Sequence, residues 1–398
     1  MNDLAIVGGG IVGLATAREI LGRYPRLRLV VLEKEPVLGQ HQSGHNSGVI
    51  HSGLYYAPGS LKARLCAEGR QRLYAFCDEQ GIPYRRVGKV VVALDEAELP
   101  RLEELYRRGT ANGVPGLEMI GRERLGEMEP HVAGLKAILS PITGIVDFGQ
   151  VVQAYARQVR ERNGEIRTAC GVSAIARRGE WVLLRTTQGV VQTRALITCA
   201  GVYSDRLARM TGGEPDPRIV PFRGDYYILR PERQALVRGN VYPVPDPAFP
   251  FLGVHFTPRM SGEVWLGPNA VLAFAREGYH KTDVNVADLA ETLTYPGFLR
   301  LARRYWRTGL GELWRSVSKA AFVRALQRLL PDIRAEHLEA APAGVRAQAV
   351  ARDGGLVDDF LIQEHGRVVN VLNAPSPAAT ASLAIGRQVV DRLAARLD

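Results

Sequence analysis

A glycine-rich turn near the N-terminus lies in the setting of a nucleotide-binding fold. Residues 8–13 are Gly-Gly-Gly-Ile-Val-Gly, after an apolar segment at 4–7 and before a helical pattern at 14–21. A second apolar segment at 27–32 leads directly to Glu33. This order of strand, turn, helix, strand and acidic residue distinguishes a dinucleotide-binding βαβ unit from an ordinary glycine turn. The N-terminus therefore predicts a Rossmann-like unit of the α/β class.

Each spaced glycine of this turn has its own expected task. Gly8 permits the tight turn, Gly10 lets the backbone approach a pyrophosphate, and Gly13 lets the helix pack closely on the strand. The pyrophosphate would lie at the helix N-terminus, where free N–H groups and the helix dipole favour an anion. Glu33 would accept hydrogen bonds from an adenosine ribose. The predicted nucleotide-binding residues here are Gly8, Gly10, Ile11, Val12, Gly13, Glu33 and Lys34.

Composition narrows the class of protein. The chain has 398 residues, enough for two substantial domains, and no segment approaches the roughly 18 apolar residues of a membrane-spanning helix. The first residues lack the basic start and apolar core of a signal peptide, so we expect a cytoplasmic protein.

The four cysteines form no CxxC pair, which favours reduced, buried thiols. The net charge of +10 suits anionic substrates or acidic membranes, and no RNA-binding motif accompanies it, so we expect no nucleic acid partner.

The order of strand and helix patterns predicts an α/β (α+β overall) fold of two interleaved domains. A Rossmann-like nucleotide-binding domain is predicted from residues 1–88, 141–218 and 336–398. A β-rich substrate domain is predicted from residues 89–140 and 219–335, where β-forming segments alternate with prolines and a helical region follows.

A compact loop follows the βαβ unit. Residues 43–53 contain three glycines, three serines, an asparagine and two histidines. Such small residues make a turn, and they also let backbone N–H groups approach a flat ring system. Asn46, Ser47 and Gly48 are the candidates for ring and pyrophosphate contacts. His41, His45 and His51 lack a cysteine or carboxylate at a metal-ligand spacing, so no metal site is predicted.

Together with the glycine turn, four longer motifs carry a family resemblance. They are residues 43–53, 221–226 (Pro-Phe-Arg-Gly-Asp-Tyr), 251–259 (Phe-Leu-Gly-Val-His-Phe-Thr-Pro-Arg) and 373–380 (Asn-Ala-Pro-Ser-Pro-Ala-Ala-Thr). The chain resembles the D-amino-acid-oxidase-like FAD-dependent oxidoreductases, and within them the L-2-hydroxyglutarate dehydrogenase/oxidase family. The resemblance implies FAD, oxidation of L-2-hydroxyglutarate to 2-oxoglutarate by hydride transfer from C2 to flavin N5, and a quinone chain or oxygen as electron acceptor. A relative that acts on malate, glycerol 3-phosphate or sarcosine is the alternative.

The resemblance also implies further FAD contacts. The backbone of Val172 would hold the adenine, and Ala200 and Gly201 would meet the pyrophosphate at the end of a buried strand. Ser376 is the expected N-cap of a final helix at 376–397, whose positive end would stabilise the negative charge of reduced flavin. The remaining predicted FAD contacts are Gly344 and Asn373.

A dicarboxylate substrate requires cationic anchors and a base. Arginine matches a carboxylate with its planar fork, and histidine accepts a proton near neutral pH. His255 is the preferred base and His51 the alternative, although His255 also fits a core histidine in an apolar strand. The predicted substrate-binding residues are Arg223, Tyr226, Arg259 and Arg346.

Residues 298–330 have two open interpretations. Eight basic residues lie between Arg300 and Arg328 against a single acidic one, with aromatic residues at roughly helical spacing. An amphipathic helix pair, broken near Gly309 and Gly311, would lie on an acidic membrane at the inner membrane face. Alternatively, the helices cap the substrate domain with their aromatic face in the core and their arginines in solvent.

Overall fold

The computed structural model describes residues 1–213, 216–246 and 253–394, so Phe251 and Leu252 of the motif at 251–259 lie outside the described residues. The strands are β1 Asn2–Val7, β2 Leu29–Leu32, β3 Val49–Ile50, β4 Tyr84–Arg85, β5 Lys89–Ala93, β6 Glu118–Gly121, β7 Lys136–Ser140, β8 Gly144–Val146, β9 Glu165–Arg167, β10 Val172–Arg178, β11 Trp181–Thr186, β12 Gly189–Thr198, β13 Arg218–Gly224, β14 Tyr227–Leu229, β15 Asn240–Pro243, β16 His255–Pro258, β17 Val264–Gly267, β18 Val271–Leu272, β19 Leu338–Ala340, β20 Gly344–Val350, β21 Leu361–His365 and β22 Val368–Asn373. The α-helices are α1 Ile11–Arg23, α2 Leu61–Gln80, α3 Leu99–Ala111, α4 Arg122–Met128, α5 Phe148–Glu161, α6 Ser204–Met210, α7 Val286–Leu293, α8 Pro296–Val317, α9 Lys319–Gln327 and α10 Ser382–Ala394.

The first sheet contains the predicted Rossmann-like unit. Strand β1 pairs in parallel with β2 on one side and with β12 on the other, and α1 connects β1 to β2. The order β10-β11-β12-β1-β2-β9 is extended by β22, which pairs in parallel with β12, and by β21, which pairs with β22. The α/β class and the βαβ unit predicted from the glycine turn are therefore confirmed.

Both faces of the first sheet are buried. On β1, Leu4 and Ile6 join one apolar cluster, which α1, α2, α5 and α10 complete. Ala5 and Val7 point to the opposite cluster, which contains residues of β11 and α6. Burial on both faces is why these strands are continuous apolar segments rather than alternating ones.

The second sheet has the order β19-β14-β17-β16-β15-β5-β7-β6. One face packs against α9 through residues such as Phe322 and Leu326. The other face packs against α3 through Leu102 and Leu105, and Tyr242 of β15 belongs to this cluster. Two smaller sheets, β18-β13-β20 and β3-β8-β4, complete the described sheets.

The structure corrects two predicted helices. The final helix begins at Ser382, because residues 375–381 form turns, so Ser376 does not cap it. Helix α8 runs without a break through Gly309 and Gly311, with a kink at Tyr305, and the chain leaves the helix only at Ser318. Local sequence did not reveal these ends, since glycine in a helix lowers stability by only about 1 kcal/mol and packing can override it.

The four cysteines are free thiols, and Cys66, Cys77 and Cys170 are buried, as the sequence predicted. Within the described ranges, no helix has both the length and the apolar character needed to cross a membrane.

Helix α10 packs on α1 so closely that Gly386 leaves no room for a side chain. A Cβ at Gly386 would lie 2.9 Å from the carbonyl carbon of Ala15. We expect Gly386→Ala to destabilise the protein by about 1–3 kcal/mol, because backbone atoms cannot move aside. The control Gly126→Ala, in α4 with no atom within 4 Å, should stabilise it by about 0.5–1 kcal/mol. Thermal unfolding of both variants measures the difference, and an unchanged Tm for Gly386→Ala contradicts the packing account.

Candidate active site

A cavity of about 1300 Å³ extends from the turns of the first sheet to the second sheet. Its first end is formed by the turns after β1 and β12 and by the end of β2, where carboxyl ends of parallel strands meet. Its other end is formed by side chains of the second sheet and of β20. Ordinary small-molecule sites occupy roughly 300–1,000 Å³, so this cavity has room for a dinucleotide together with a small substrate.

At two positions of the N-terminal turn, close contacts with backbone atoms leave room only for glycine. Gly8 has a φ of +115°, and a Cβ there would lie 2.3 Å from the carbonyl oxygen of Cys199. A Cβ at Gly13 would lie 2.0 Å from the carbonyl oxygen of Gly8. Gly10 differs, because it lines the cavity and the nearest atom to its Cβ position is Ser43 Oγ at 3.2 Å. The turn thus leaves bare backbone where a pyrophosphate would lie.

Polar groups around the turn are held in fixed positions. Glu33 lies at the end of β2, where its Oε2 accepts from the Gly9 N–H at 2.7 Å and its Oε1 accepts from the Glu35 N–H at 2.9 Å. The Ile11 N–H at the start of α1 donates to Ser43 Oγ at 2.9 Å. The carboxylate and the helix N-terminus are therefore both fixed at the nucleotide end of the cavity.

The loop at 43–53 is closed by its own asparagine. Asn46 Nδ2 donates to the Ser43 carbonyl at 2.7 Å, and its Oδ1 accepts from the Gly48 N–H at 2.8 Å. The Arg259 guanidinium donates to the Asn46 carbonyl. Asn46 and Ser47 line the cavity, whereas Gly48 lies behind it against β8, where a Cβ would be 3.0 Å from the Val146 carbonyl. The asparagine side chain thus shapes the loop instead of reaching into the cavity.

The arrangement fits FAD, because its nucleotide end combines bare glycine backbone, a helix N-terminus and an immobilised carboxylate. Gly13 lies behind the wall and supports the turn. The predicted FAD contacts that line the cavity are Gly8, Gly10, Ile11, Val12, Glu33, Lys34, Asn46, Ser47, Val172, Ala200, Gly201, Gly344, Asn373 and Ser376.

Lys34 occupies the middle of a polar cluster at the cavity edge. Its ammonium donates to Glu35 and to Glu277 Oε1, the latter at 2.5 Å, and lies 3.1 Å from His41 Nε2. Glu35, His41 and Glu277 are close enough together to hold a metal ion. The Lys34 ammonium already forms ion pairs with both carboxylates, so it occupies the place that a bound cation would take.

His255 lines the far end of the cavity in a defined orientation. It is buried in β16, its ring stacks on Tyr242 at 3.9 Å between centroids, and its Nδ1 lies 2.9 Å from the Gly253 carbonyl. A carbonyl can only accept, so Nδ1 carries the proton and Nε2 keeps its lone pair. Burial lowers the pKa of His255 to about 3, with smaller contributions from Lys89 and Arg346. The imidazole is therefore neutral at physiological pH.

His51, the alternative base, lines the same cavity. Its backbone N–H donates to Thr380 Oγ1 at 3.1 Å, and its ring Nε2 lies 3.4 Å from Ser376 Oγ. Burial lowers the pKa of His51 well below its usual value, and the positive charges of Lys89 and Lys62 lower it further. Both candidate bases are thus neutral and face one cavity.

Two of the four predicted substrate-binding residues line the cavity, namely Tyr226 and Arg346. Arg223 does not, because its guanidinium donates to Asp225 at 2.9 Å and to the His280 carbonyl at 3.1 Å. Arg259 does not either, since it lies over the Trp265 ring and holds the Asn46 carbonyl. The structure corrects the expectation that these two arginines face the substrate: they support the wall from behind.

Other residues of the wall were missed by the sequence analysis. Lys62, at the start of α2, is buried, pairs with Asp358 at 2.7 Å and faces the cavity. Tyr242 faces it from β15, and Arg101 and Arg108 face it from α3 at the side away from the glycine turn. Tyr55 and Tyr56, which lie just beyond the 43–53 loop after Leu54, were a usable signal, since both line the cavity.

Comparisons with known proteins agree with this geometry. Residues 3–392 match the DAO family model, described as FAD dependent oxidoreductase. The chain is 52% identical to L-2-hydroxyglutarate dehydrogenase, mitochondrial, of Nematostella vectensis, over 99% of this chain and 91% of that protein. It is 51% identical to L-2-hydroxyglutarate dehydrogenase of Indibacter alkaliphilus, over 98% of both, and 47% identical to the human mitochondrial protein of that name, over 100% of this chain and 89% of that protein.

Solved structures share the fold. An L-alpha-glycerophosphate oxidase from Mycoplasma pneumoniae with FAD bound superposes with a TM-score of 0.81 at 23% identity, over 99% of this chain and 94% of that one. A glycine oxidase from Geobacillus kaustophilus gives 0.76 at 20% identity, over 99% and 95%. With a family model that covers nearly every residue and relatives that match at about half of all positions, the chain belongs to the L-2-hydroxyglutarate dehydrogenase family of the DAO-type FAD-dependent oxidoreductases.

Proposed function

We propose that this protein oxidises the C2 hydroxyl of L-2-hydroxyglutarate to give 2-oxoglutarate. The observation that carries the proposal is the near-full-length match to proteins named L-2-hydroxyglutarate dehydrogenase. FAD, when bound, supplies the acceptor for the C2 hydride. The residues of the chain bind and orient the substrate and move the hydroxyl proton.

His255 is the proposed base. Its Nδ1–H bond to Gly253 fixes the tautomer, so Nε2 can accept the proton of the C2 hydroxyl. Because the pKa of His255 is about 3, the imidazole is a weak base before the substrate binds. A dianionic substrate beside the imidazole favours the imidazolium and raises the pKa of His255.

Arg346 and Lys62 are the proposed anchors for the two carboxylates. Both line the cavity, and each acts on a different histidine: Arg346 lowers the pKa of His255 and Lys62 that of His51. Each histidine therefore has one of the two cations near it. Lys62 is the better anchor than Arg101, because the Lys62 side chain is buried whereas that of Arg101 is one-third exposed.

We also propose the two-domain division given by the sequence, with one shift. The strands of the first sheet come from residues 1–88, 141–218 and 336–398. However, β19 pairs with β14 of the second sheet and β20 pairs with β13. The last domain boundary is therefore better placed after Val350 than after residue 335.

A surface of α8 suits contact with an anionic membrane. Trp306, Leu310, Leu313, Trp314 and Val317 are each 48–65% exposed and lie on one helical face. The aromatic-core interpretation holds for Phe322 of α9, which is fully buried, and in part for Phe298 and Tyr305, which pack against another buried cluster. The exposed arginines of the same helix are Arg300, Arg303, Arg304 and Arg307.

Apolar side chains flanked by arginines are typical of helices that lie in the interface of acidic membranes. We propose this surface as the contact with the inner membrane face, with a membrane quinone or oxygen as electron acceptor. Cytoplasmic localisation stays a prediction.

A substrate panel tests the proposed reaction. Turnover with an artificial electron acceptor is measured for L-2-hydroxyglutarate, L-malate, glycerol 3-phosphate and sarcosine, and the product is identified as 2-oxoglutarate. We expect L-2-hydroxyglutarate to give the highest kcat/KM. Preference for glycerol 3-phosphate or for an amine would replace the proposal by the alternative activity.

His255→Ala should lower the rate constant of flavin reduction by about 10²–10⁴-fold, because the hydroxyl proton loses its acceptor. Stopped-flow mixing with L-2-hydroxyglutarate measures that rate constant. His51→Ala serves as the comparison, and we expect a smaller loss. If the order of the two losses is reversed, the role of the base belongs to His51.

Lys62→Met should weaken selection for a second carboxylate. For L-2-hydroxyglutarate we expect kcat/KM to fall by about 10–10²-fold, the scale of one charge-assisted hydrogen bond. For L-2-hydroxypentanoate, which has the same chain length but no second carboxylate, we expect a change of less than about threefold. Equal losses for both substrates contradict the assignment of Lys62.

Charge reversal on α8 tests the membrane surface. The double variant Arg303→Glu/Arg307→Glu should bind phosphatidylglycerol vesicles at least about 30-fold more weakly, since each arginine near such a surface contributes about 1 kcal/mol. The control Arg178→Glu/Arg185→Glu changes the net charge equally, on exposed residues of β10 and β11. Co-sedimentation measures both. Equal weakening of the two variants, or no binding by the wild type, contradicts the proposal.

A further inference from the structure

Lys89, Tyr242 and His255 lie side by side on one face of the second sheet. They belong to the adjacent strands β5, β15 and β16, where Asn240 pairs with Lys89 and Val241 pairs with Phe256. Side chains alternate along a strand, so these pairings place Lys89, Tyr242 and His255 on the same face. Tyr242, on the middle strand, separates the other two.

The distances show a continuous stack. The His255 ring lies 3.9 Å from the Tyr242 ring centroid, with 21° between the planes. The Lys89 ammonium lies 3.9 Å from the same centroid and 5.2 Å from that of Tyr55. One face of a ring cannot hold both groups at that distance. The ammonium and the imidazole therefore occupy opposite faces of Tyr242, roughly 8 Å apart.

The Lys89 ammonium is buried without a counter-ion. The residue is 2% exposed, and among the described residues no carboxylate forms an ion pair with it. Burial lowers the pKa of Lys89 to about 7. The Cys66 thiol, the one acid that raises the Lys89 pKa, stays neutral because burial raises the pKa of the thiol to about 12. A buried, unpaired charge costs folding free energy, and such costs concentrate at functional sites.

We propose that Lys89 is a positioning residue for His255: its ammonium, behind the Tyr242 ring, fixes the stacked rings and, in addition to burial, disfavours protonation of the imidazole before the substrate hydroxyl delivers its proton. The proposal rests on the proposed function, in which His255 is the base. The groups that face His255 are Lys89, Arg346, His51 and Tyr242, and those that face Lys89 are Tyr55, Tyr242, Cys66 and His51.

The size of the effect follows from Coulomb's law. Two unit charges about 8 Å apart at an effective dielectric constant of about 20 shift an equilibrium by about 10–10²-fold. Removal of the ammonium should therefore raise the pKa of His255 by about 1–2 pH units. The distance between the Tyr242 and His255 rings should also increase, because no cation attracts the other face of the Tyr242 ring.

The test compares Lys89→Met, Lys89→Arg and the control Lys136→Met, which removes a part-exposed lysine from β7 of the same sheet. Flavin reduction by saturating L-2-hydroxyglutarate is measured against pH in the holoenzyme. We expect the acid limb of Lys89→Met to move up by about 1–2 pH units, and those of the other two variants to stay within about 0.3 of the wild type.

Stability provides a second readout. Lys89→Met should raise the Tm, because methionine fills the same space without a buried charge. The gain should be largest below pH 7, where wild-type Lys89 is charged both folded and unfolded, and should shrink towards pH 10, where the folded lysine is already neutral. An unchanged acid limb combined with a lower Tm would make Lys89 purely structural and overturn the proposal.

Failure of the proposed reaction gives a different result from failure of the Lys89 proposal. If wild-type enzyme is not reduced by L-2-hydroxyglutarate at any pH, that function is excluded. NMR titration of the histidines, with His255 identified by its loss in His255→Gln, then decides the role of Lys89. A higher imidazole pKa in Lys89→Met supports the proposal, and an unchanged one contradicts it.

Discussion

The close contact between the turn after β1 and the end of β12 determines where everything else in the site lies. Gly13 packs on the Gly8 carbonyl, and Gly8 packs on that of Cys199, so α1 starts at the cavity with its N–H groups directed into it. Ser43 accepts from the Ile11 N–H and attaches the 43–53 loop to this helix. Arg259, next to β16, then holds the loop by its backbone. This series of short contacts connects the nucleotide end of the cavity to the second sheet and sets the distance between the two ends.

The parts of the site that the sequence predicted are local. The glycine turn, Glu33 and the 43–53 loop depend on residues close together in the chain, where spacing alone specifies geometry. Arg223 and Arg346 show why the substrate end was harder. Arg346 pairs with Phe222 and Arg223 with Val345, so these arginines sit at neighbouring positions of the β13–β20 ladder and point to opposite faces. A shift of one residue in register exchanges such faces, and register depends on tertiary packing. Lys89 and Tyr242 escaped prediction for the same reason, since only strand pairing brings them together.

Periodicity likewise left the orientation of α8 undetermined. The pattern of 298–330 showed that the helices have an apolar face, but not whether that face is covered. The structure buries Phe322 against the second sheet and leaves Trp306 and Trp314 more than half exposed. An amphipathic pattern predicts which residues form the apolar face of a helix. Which elements pack against that face depends on the rest of the fold.

The substrate end is electrostatically prepared for an anion. Arg346, Lys62 and Lys89 surround two histidines that burial keeps neutral, so this end is strongly positive without substrate. A dianionic ligand bound there would offset that charge and raise the pKa of the neighbouring imidazoles. In the proposed reaction, substrate binding and the strength of the base are therefore coupled through the same cations.

The most direct measurement is anaerobic mixing of the purified, FAD-loaded protein with L-2-hydroxyglutarate while the visible spectrum is recorded. The account predicts that the absorbance of oxidised flavin disappears with the L isomer and persists with the D isomer, because the two cations and the base fix one orientation of C2. An oxidised flavin spectrum that neither isomer changes would contradict the account, and equal reduction by both isomers would contradict the proposed arrangement of anchors and base.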